Sequence, residues 1–174
     1  MSKNITQYEL LISCPGDVKR EVEIIKEVVN KFNSEFSKTL GIMIQERYWE
    51  KDSYPASGDK PQAILNKQFV DDCDAAVAIF WTRFGTPTDK YGSGTEEEIE
   101  KMIAANKQVF MYFSDVAIST SETNREQYEK IQEFKKKYKD KGLYWEYKTI
   151  EEFKDLFYAH LTKHFLTRSK VEEI

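Results

Sequence analysis

Seven consecutive residues, AAVAIFW at positions 75–81, carry no charged or hydrogen-bond-rich side chain apart from the closing indole. A strand with one wet face alternates apolar and polar residues. This one does not, so it is read as buried on both faces, as in a parallel sheet covered by helices above and below.

The rest of the chain fits that frame. Residues 8–13 (YELLIS) read as a short first strand, after which Pro15-Gly16-Asp17 breaks the chain. Val18, Val22, Ile25, Val29, Phe32 and Phe36 follow at helical spacing, with Asp17 as the expected N-cap and Gly41 as the stop. A second strand is predicted over residues 42–49, then a loop over 50–60 rich in turn formers. Pro61 suits the first position of a helix predicted to residue 72. A helix over 95–106 and a fourth strand over 108–113 come after the 75–81 strand. Next are a polar segment over 114–124, a charged helix ending before Gly142 and a fifth strand over 143–147. Ile150, Phe153, Phe157, Leu161 and Phe165 mark a last helix over 149–166. The lysine run 135–137 is read as an exposed helix face.

Five strands alternating with helices predict a doubly wound α/β fold. Residues 1–166 are expected to form one domain, and residues 167–174 a solvated tail or linker. The length, 174 residues, suffices for one sizeable core. With 26 basic against 30 acidic side chains, no basic surplus marks a nucleic-acid binder. No apolar run approaches a membrane span, and no signal peptide is evident, so a cytoplasmic protein is expected. Two cysteines, Cys14 and Cys73, lack metal-type spacing and are expected as reduced thiols. With two histidines in the chain, neither Cys–His catalysis nor a metal site is expected.

Ligands in such folds sit beyond the carboxyl ends of the strands. Three loops lie there: residues 13–17, 50–60 and 82–93. In the first, Ser13, Pro15, Gly16 and Asp17 lead into free helix N–H groups that suit an anion; the structural alternative is a capped helix start. The second, with Tyr54, is read as either a flap or an ordinary surface loop. The third is the richest. Trp81 and Phe84 offer flat walls for an aromatic base, and Arg83 offers two donors to a phosphate or carboxylate. Gly85, Thr86, Ser93 and Thr95 complete the turn into the next helix. That helix opens on Glu96, Glu97 and Glu98. Ile99, Met102 and Ile103 must face the sheet, which puts Glu98 beside the buried stripe as a candidate catalytic acid. Glu97 is its competitor, and periodicity leaves both open.

At these residues the sequence resembles a known group. Ser13 to Asp17, Pro61-Gln62, Asp74, the loop from Trp81 to Thr88 and the turn from Ser93 to Ile99 resemble prokaryotic Toll/interleukin-1-receptor-like (TIR-like) domains of the DUF4062 subgroup. The resemblance implies a flavodoxin-like sheet of order 2-1-3-4-5. In enzymatic members it implies cleavage of NAD at the nicotinamide–ribose bond, with NAD as substrate and no separate cofactor. Glu98-Ile99 matches the position of the catalytic glutamate in those members. A local similarity to nucleoside deoxyribosyltransferases places Glu98 in the same role. Such a transferase would need an acid to protonate its leaving base, for which Asp52, Asp89 and Glu97 are the candidates. A third alternative is a non-enzymatic adaptor or nucleotide-signal sensor. The resemblance further implies an effector of bacterial antiviral defence, homo-oligomers through TIR-like contacts, and a partner or fused sensor module.

Overall fold

In the computed structural model the sheet has the strand order β2-β1-β3-β4-β5, all neighbours parallel. Its strands are β1 (Thr6–Ser13), β2 (Ile42–Arg47), β3 (Ala75–Phe80), β4 (Gln108–Ser114) and β5 (Tyr144–Tyr147). The structure describes the backbone of residues 1–172, and the side chains of these except Glu50, Lys51, Glu122 and residues 169–172. This is the flavodoxin-like arrangement expected. Every residue of β3 is buried, because helices cover both of its faces.

The two faces separate residue by residue along the strands. Leu10 and Ile12 of β1, Val77 and Ile79 of β3, and Phe110 and Tyr112 of β4 face one core. There they meet α1 (Lys19–Leu40) and α6 (Ile150–Glu172), through Ile25, Phe32, Phe157 and Phe165 among others. Ala78 and Phe80 with Met111 and Phe113 face the opposite core, packed on α4 (Gly94–Ala104) and α5 (Arg125–Tyr138). Leu11 and Ala76 complete that side against Phe69, Val70 and Met102.

Several elements differ from expectation. β2 ends at Arg47, because the Tyr48 N–H donates to Asp52 Oδ2 (2.8 Å) and a short helix α2 (Trp49–Asp52) forms there. The helix expected over 61–72 is split into α3 (Pro61–Leu65) and a π-helical turn, Asn66–Val70. Helix α6 runs through residue 166 to Glu172. In the lysine run, Lys135 folds back to pair with Glu146 and lies 5.4 Å from the Phe113 ring centroid; Lys137 pairs with Glu100 at 3.3 Å. Cys14 and Cys73 are both buried and are not joined in a disulfide. No helix among the described residues is long and apolar enough to cross a membrane.

Candidate functional site

Order 2-1-3-4-5 makes the chain change direction across the sheet between β1 and β3, the point where such folds open a crevice. Ser13 ends β1 there, paired with Ala78 of β3, and is 1% exposed. Helix α4 follows β3 and brings three acids to the same place.

The three acids have three different environments. Ser93 caps α4, its Oγ accepting from the Glu96 N–H at 3.1 Å, while Glu96 Oε1 accepts from the Gly92 N–H at 3.3 Å. Glu96 therefore belongs to the cap. Glu97 is 8% exposed. It accepts from Asn66 Nδ2 and from Thr88 Oγ1 (3.0 Å), which ties the π-helical turn to the third loop.

Glu98 reaches the carboxyl end of β1. Its Oε2 accepts a hydrogen bond from Ser13 Oγ, and its Oε1 faces Gln62 Nε2 at 3.4 Å. Protein surrounds the carboxyl on most sides, yet the residue keeps a partly exposed surface. Burial pushes its pKa up to about 7; the bonds from Ser13 and Gln62 oppose that rise, and neighbouring Glu97 adds to it. A carboxyl whose pKa lies near neutrality can exchange a proton or hold a negative charge against a cation.

Asp17 does not cap α1. Val18 takes that position with no side-chain bond. Asp17 Oδ2 instead accepts from the Thr82 N–H (2.9 Å), Thr82 Oγ1 (2.7 Å) and the Arg83 N–H (3.1 Å), binding the first loop to the third. Its Oδ1 is buried without a partner among the described residues. Pro15 is buried, and Gly16 is exposed with open space where a Cβ would stand.

In the third loop, Trp81 is half-buried, its indole donating to the Val116 carbonyl at 2.9 Å, and Arg83 and Thr86 are exposed. Phe84 corrects the sequence reading. It is 2% exposed and stacked 5.0 Å from Phe80, so it is core and not a pocket wall. Gly85 holds φ +111°, and a Cβ there would come within 3.0 Å of Ser93 Cβ. Thr95 is buried inside the first turn of α4.

Two hollows flank this loop. One, of about 880 Å³, is lined by Gly16, Asp17, Trp81, Arg83, Thr86 and Gln127 among others. The second, of about 670 Å³, runs from Gln62, Asn66 and Glu97 to Thr86, Asp89 and Lys101. Glu98 lines neither, but its hydrogen-bond partner Gln62 lines the second. The residues expected to form one site are thus divided. Ser13 meets Glu98, while Gly16, Asp17, Trp81, Arg83 and Thr86 gather around the other hollow. Gln62 and Asn66 had no role in the sequence reading, although Pro61-Gln62 lay within the resembling motif. A further hollow of about 790 Å³ lies toward the amino end of β4, lined by Trp145, His160 and His164, and none of the expected site residues reaches it. Among the described residues no group of three or more His, Cys, Asp or Glu could hold a metal ion.

Comparison with solved structures gives distant likenesses only. A conserved protein from Enterococcus faecalis V583 aligns at 11% identity and TM-score 0.44, over 86% of this chain and 96% of that one. Translation elongation factor SelB from Methanococcus maripaludis aligns at 10% identity and TM-score 0.46, over 92% of this chain and 36% of its own. The flavodiiron protein from Giardia intestinalis aligns at 10% and TM-score 0.41, over 87% of this chain and 33% of its own. The chain thus spans about a third of the length of these last two, and likenesses this remote carry no argument. No curated protein matches the chain. One family model does match, over residues 13–162, a span that holds β1's last residue, Gln62, the third loop and all three glutamates; the chain belongs to that family, Domain of unknown function (DUF4062).

Proposed function

We propose that this protein is a TIR-like NAD glycohydrolase that cleaves the nicotinamide–ribose bond. The observation that carries the reading is Glu98: a buried carboxyl on a partly exposed residue at the β1/β3 crossover, hydrogen-bonded by Ser13, with a pKa raised to about 7 by burial.

The chemistry needs little more. In NAD the nicotinamide is already a pyridinium cation. When the C1′–N bond breaks, both electrons go to the ring nitrogen and neutral nicotinamide departs without a general acid. Positive charge develops at the ribose, as in other glycosidic cleavages. A fixed carboxylate beside it stabilises that charge. Water then adds to C1′, and its proton passes to Glu98, whose pKa near 7 suits acceptance and later release. The products are ADP-ribose, nicotinamide and a proton. Approach of the cationic nicotinamide ring itself favours the ionised form of Glu98. Placement as an effector in bacterial antiviral defence, active when assembled, rests on the resemblance to TIR-like domains.

Concentrated protein incubated with NAD is expected to release nicotinamide, measured by chromatography. Glu98→Gln is expected to lower kcat by about 100-fold or more. Glu97→Gln is expected to change thermal stability, through its bonds to Asn66 and Thr88, more than the rate of the folded enzyme. Release that persists undiminished in Glu98→Gln would remove the basis of the proposal.

A further inference from the structure

Gln62 stands between the 670 Å³ hollow and Glu98, and its orientation follows from a chain of fixed groups. The Glu97 carboxylate can only accept, so Asn66 turns its Nδ2 toward it. Asn66 Oδ1 then faces Gln62 and accepts from Nε2 at 3.0 Å. The other hydrogen of that NH2 group reaches Glu98 Oε1 at 3.4 Å. Turning the amide over would set a carbonyl against two acceptors. The Gln62 carbonyl is therefore left lying on Gly94, where a Cβ would stand 2.4 Å from Oε1. It accepts no hydrogen bond from the described residues, although Gln62 lines the hollow.

We propose that Gln62 is the specificity-determining residue for the leaving group, its carbonyl accepting an N–H from the carboxamide of nicotinamide while its NH2 group steadies Glu98. The inference rests on the NAD-cleaving reading and adds which part of the substrate the hollow receives. An amide N–H complements a carbonyl acceptor. The carboxylate of nicotinic acid does not, and it adds a negative charge beside Glu97 and Glu98. The cations of this hollow are Lys60, Lys90 and Lys101; Lys60 is already paired with Asp89. Gly94 is required because any side chain there would displace the carbonyl.

The test is binding of free nicotinamide and free nicotinate to the full chain, followed by NMR titration. Three proteins are compared: wild type, Gln62→Met and Gly94→Ala, each checked by thermal melting. Wild type is expected to prefer nicotinamide by about tenfold. Both variants are expected to lose that preference while folded. Equal binding of the two bases by wild type, or a preference that survives in folded Gln62→Met, overturns the proposal. The NAD assay separates the two readings. Cleavage of NAD with a base preference indifferent to Gln62 removes this inference alone. A Gln62-dependent preference without NAD cleavage removes the hydrolase reading and keeps Gln62 as the base-reading residue.

Discussion

At the scale of single residues, Glu98 links burial to pH. Its folded-state pKa of about 7 lies above the ordinary 4.5, so between those values the unfolded chain gives up the proton and the folded one keeps it. Stability therefore falls as pH rises from about 4.5 to 7, and stays reduced above that range. Glu98→Gln removes this cost. The variant is expected to be more stable than wild type at pH 8, by on the order of 1–3 kcal/mol, and to show no such gain at pH 4. Chemical denaturation at the two pH values measures the difference. The neighbourhood of Glu98 to the buried stripe was legible from Ile99 and Met102. What separates it from Glu97 was not, because both partners of Glu97, Asn66 and Thr88, come from segments distant in sequence from the helix turn itself or folded back upon it. Asp17 shows the same limit. Its position before a helix suggests a cap, and only the packed structure reveals Thr82 and Arg83 as its donors.

Among elements, the π-helical turn Asn66–Val70 is one that the sequence concealed. Nothing in NKQFV breaks a helical pattern, since the turn is widened by its tertiary setting. Its i→i+5 bond, Asp71 N–H to the Asn66 carbonyl at 3.2 Å, inserts one extra residue into the turn. That widened turn leaves Asn66 buried against Glu97 while Phe69 and Val70 pack into the core. Deleting exposed Lys67 is expected to restore ordinary helical pitch, rotating Gln62 and Asn66 away from α4 by about 100° relative to the core residues. Nicotinamide release is then expected to fall at least about tenfold in protein that still folds, as judged by circular dichroism. Strand β3 and the helices α1 and α6, by contrast, were readable because their apolar patterns are long and uninterrupted. Boundaries slipped where a local bond intervened, as at Tyr48 and Asp52.

At the scale of the molecule, the sheet order follows from βαβ crossovers and from one strand too apolar to have a wet face. The α1/α6 side holds the aromatic mass: Phe153 and Phe157 stack with ring centroids 5.8 Å apart, both 0% exposed. Phe157→Ala is expected to cost about 3–5 kcal/mol, measured by urea denaturation, without altering the arrangement around Glu98 on the other face. The layout could be read in advance; the division of the upper surface into separate hollows could not, since it depends on how three loops lean on one another. One oxygen of Asp17 gathers three donors across the gap between the first and third loops. Those loops can separate only by surrendering all three bonds together. The segment 53–60 is held more lightly, through Tyr54 and Gln68 contacts of 3.3–3.4 Å and an exposed Lys60–Asp89 pair. The crown of this protein is thus bolted on one flank and only lightly pinned on the other, so the lightly pinned flank is the one expected to exchange its backbone hydrogens first.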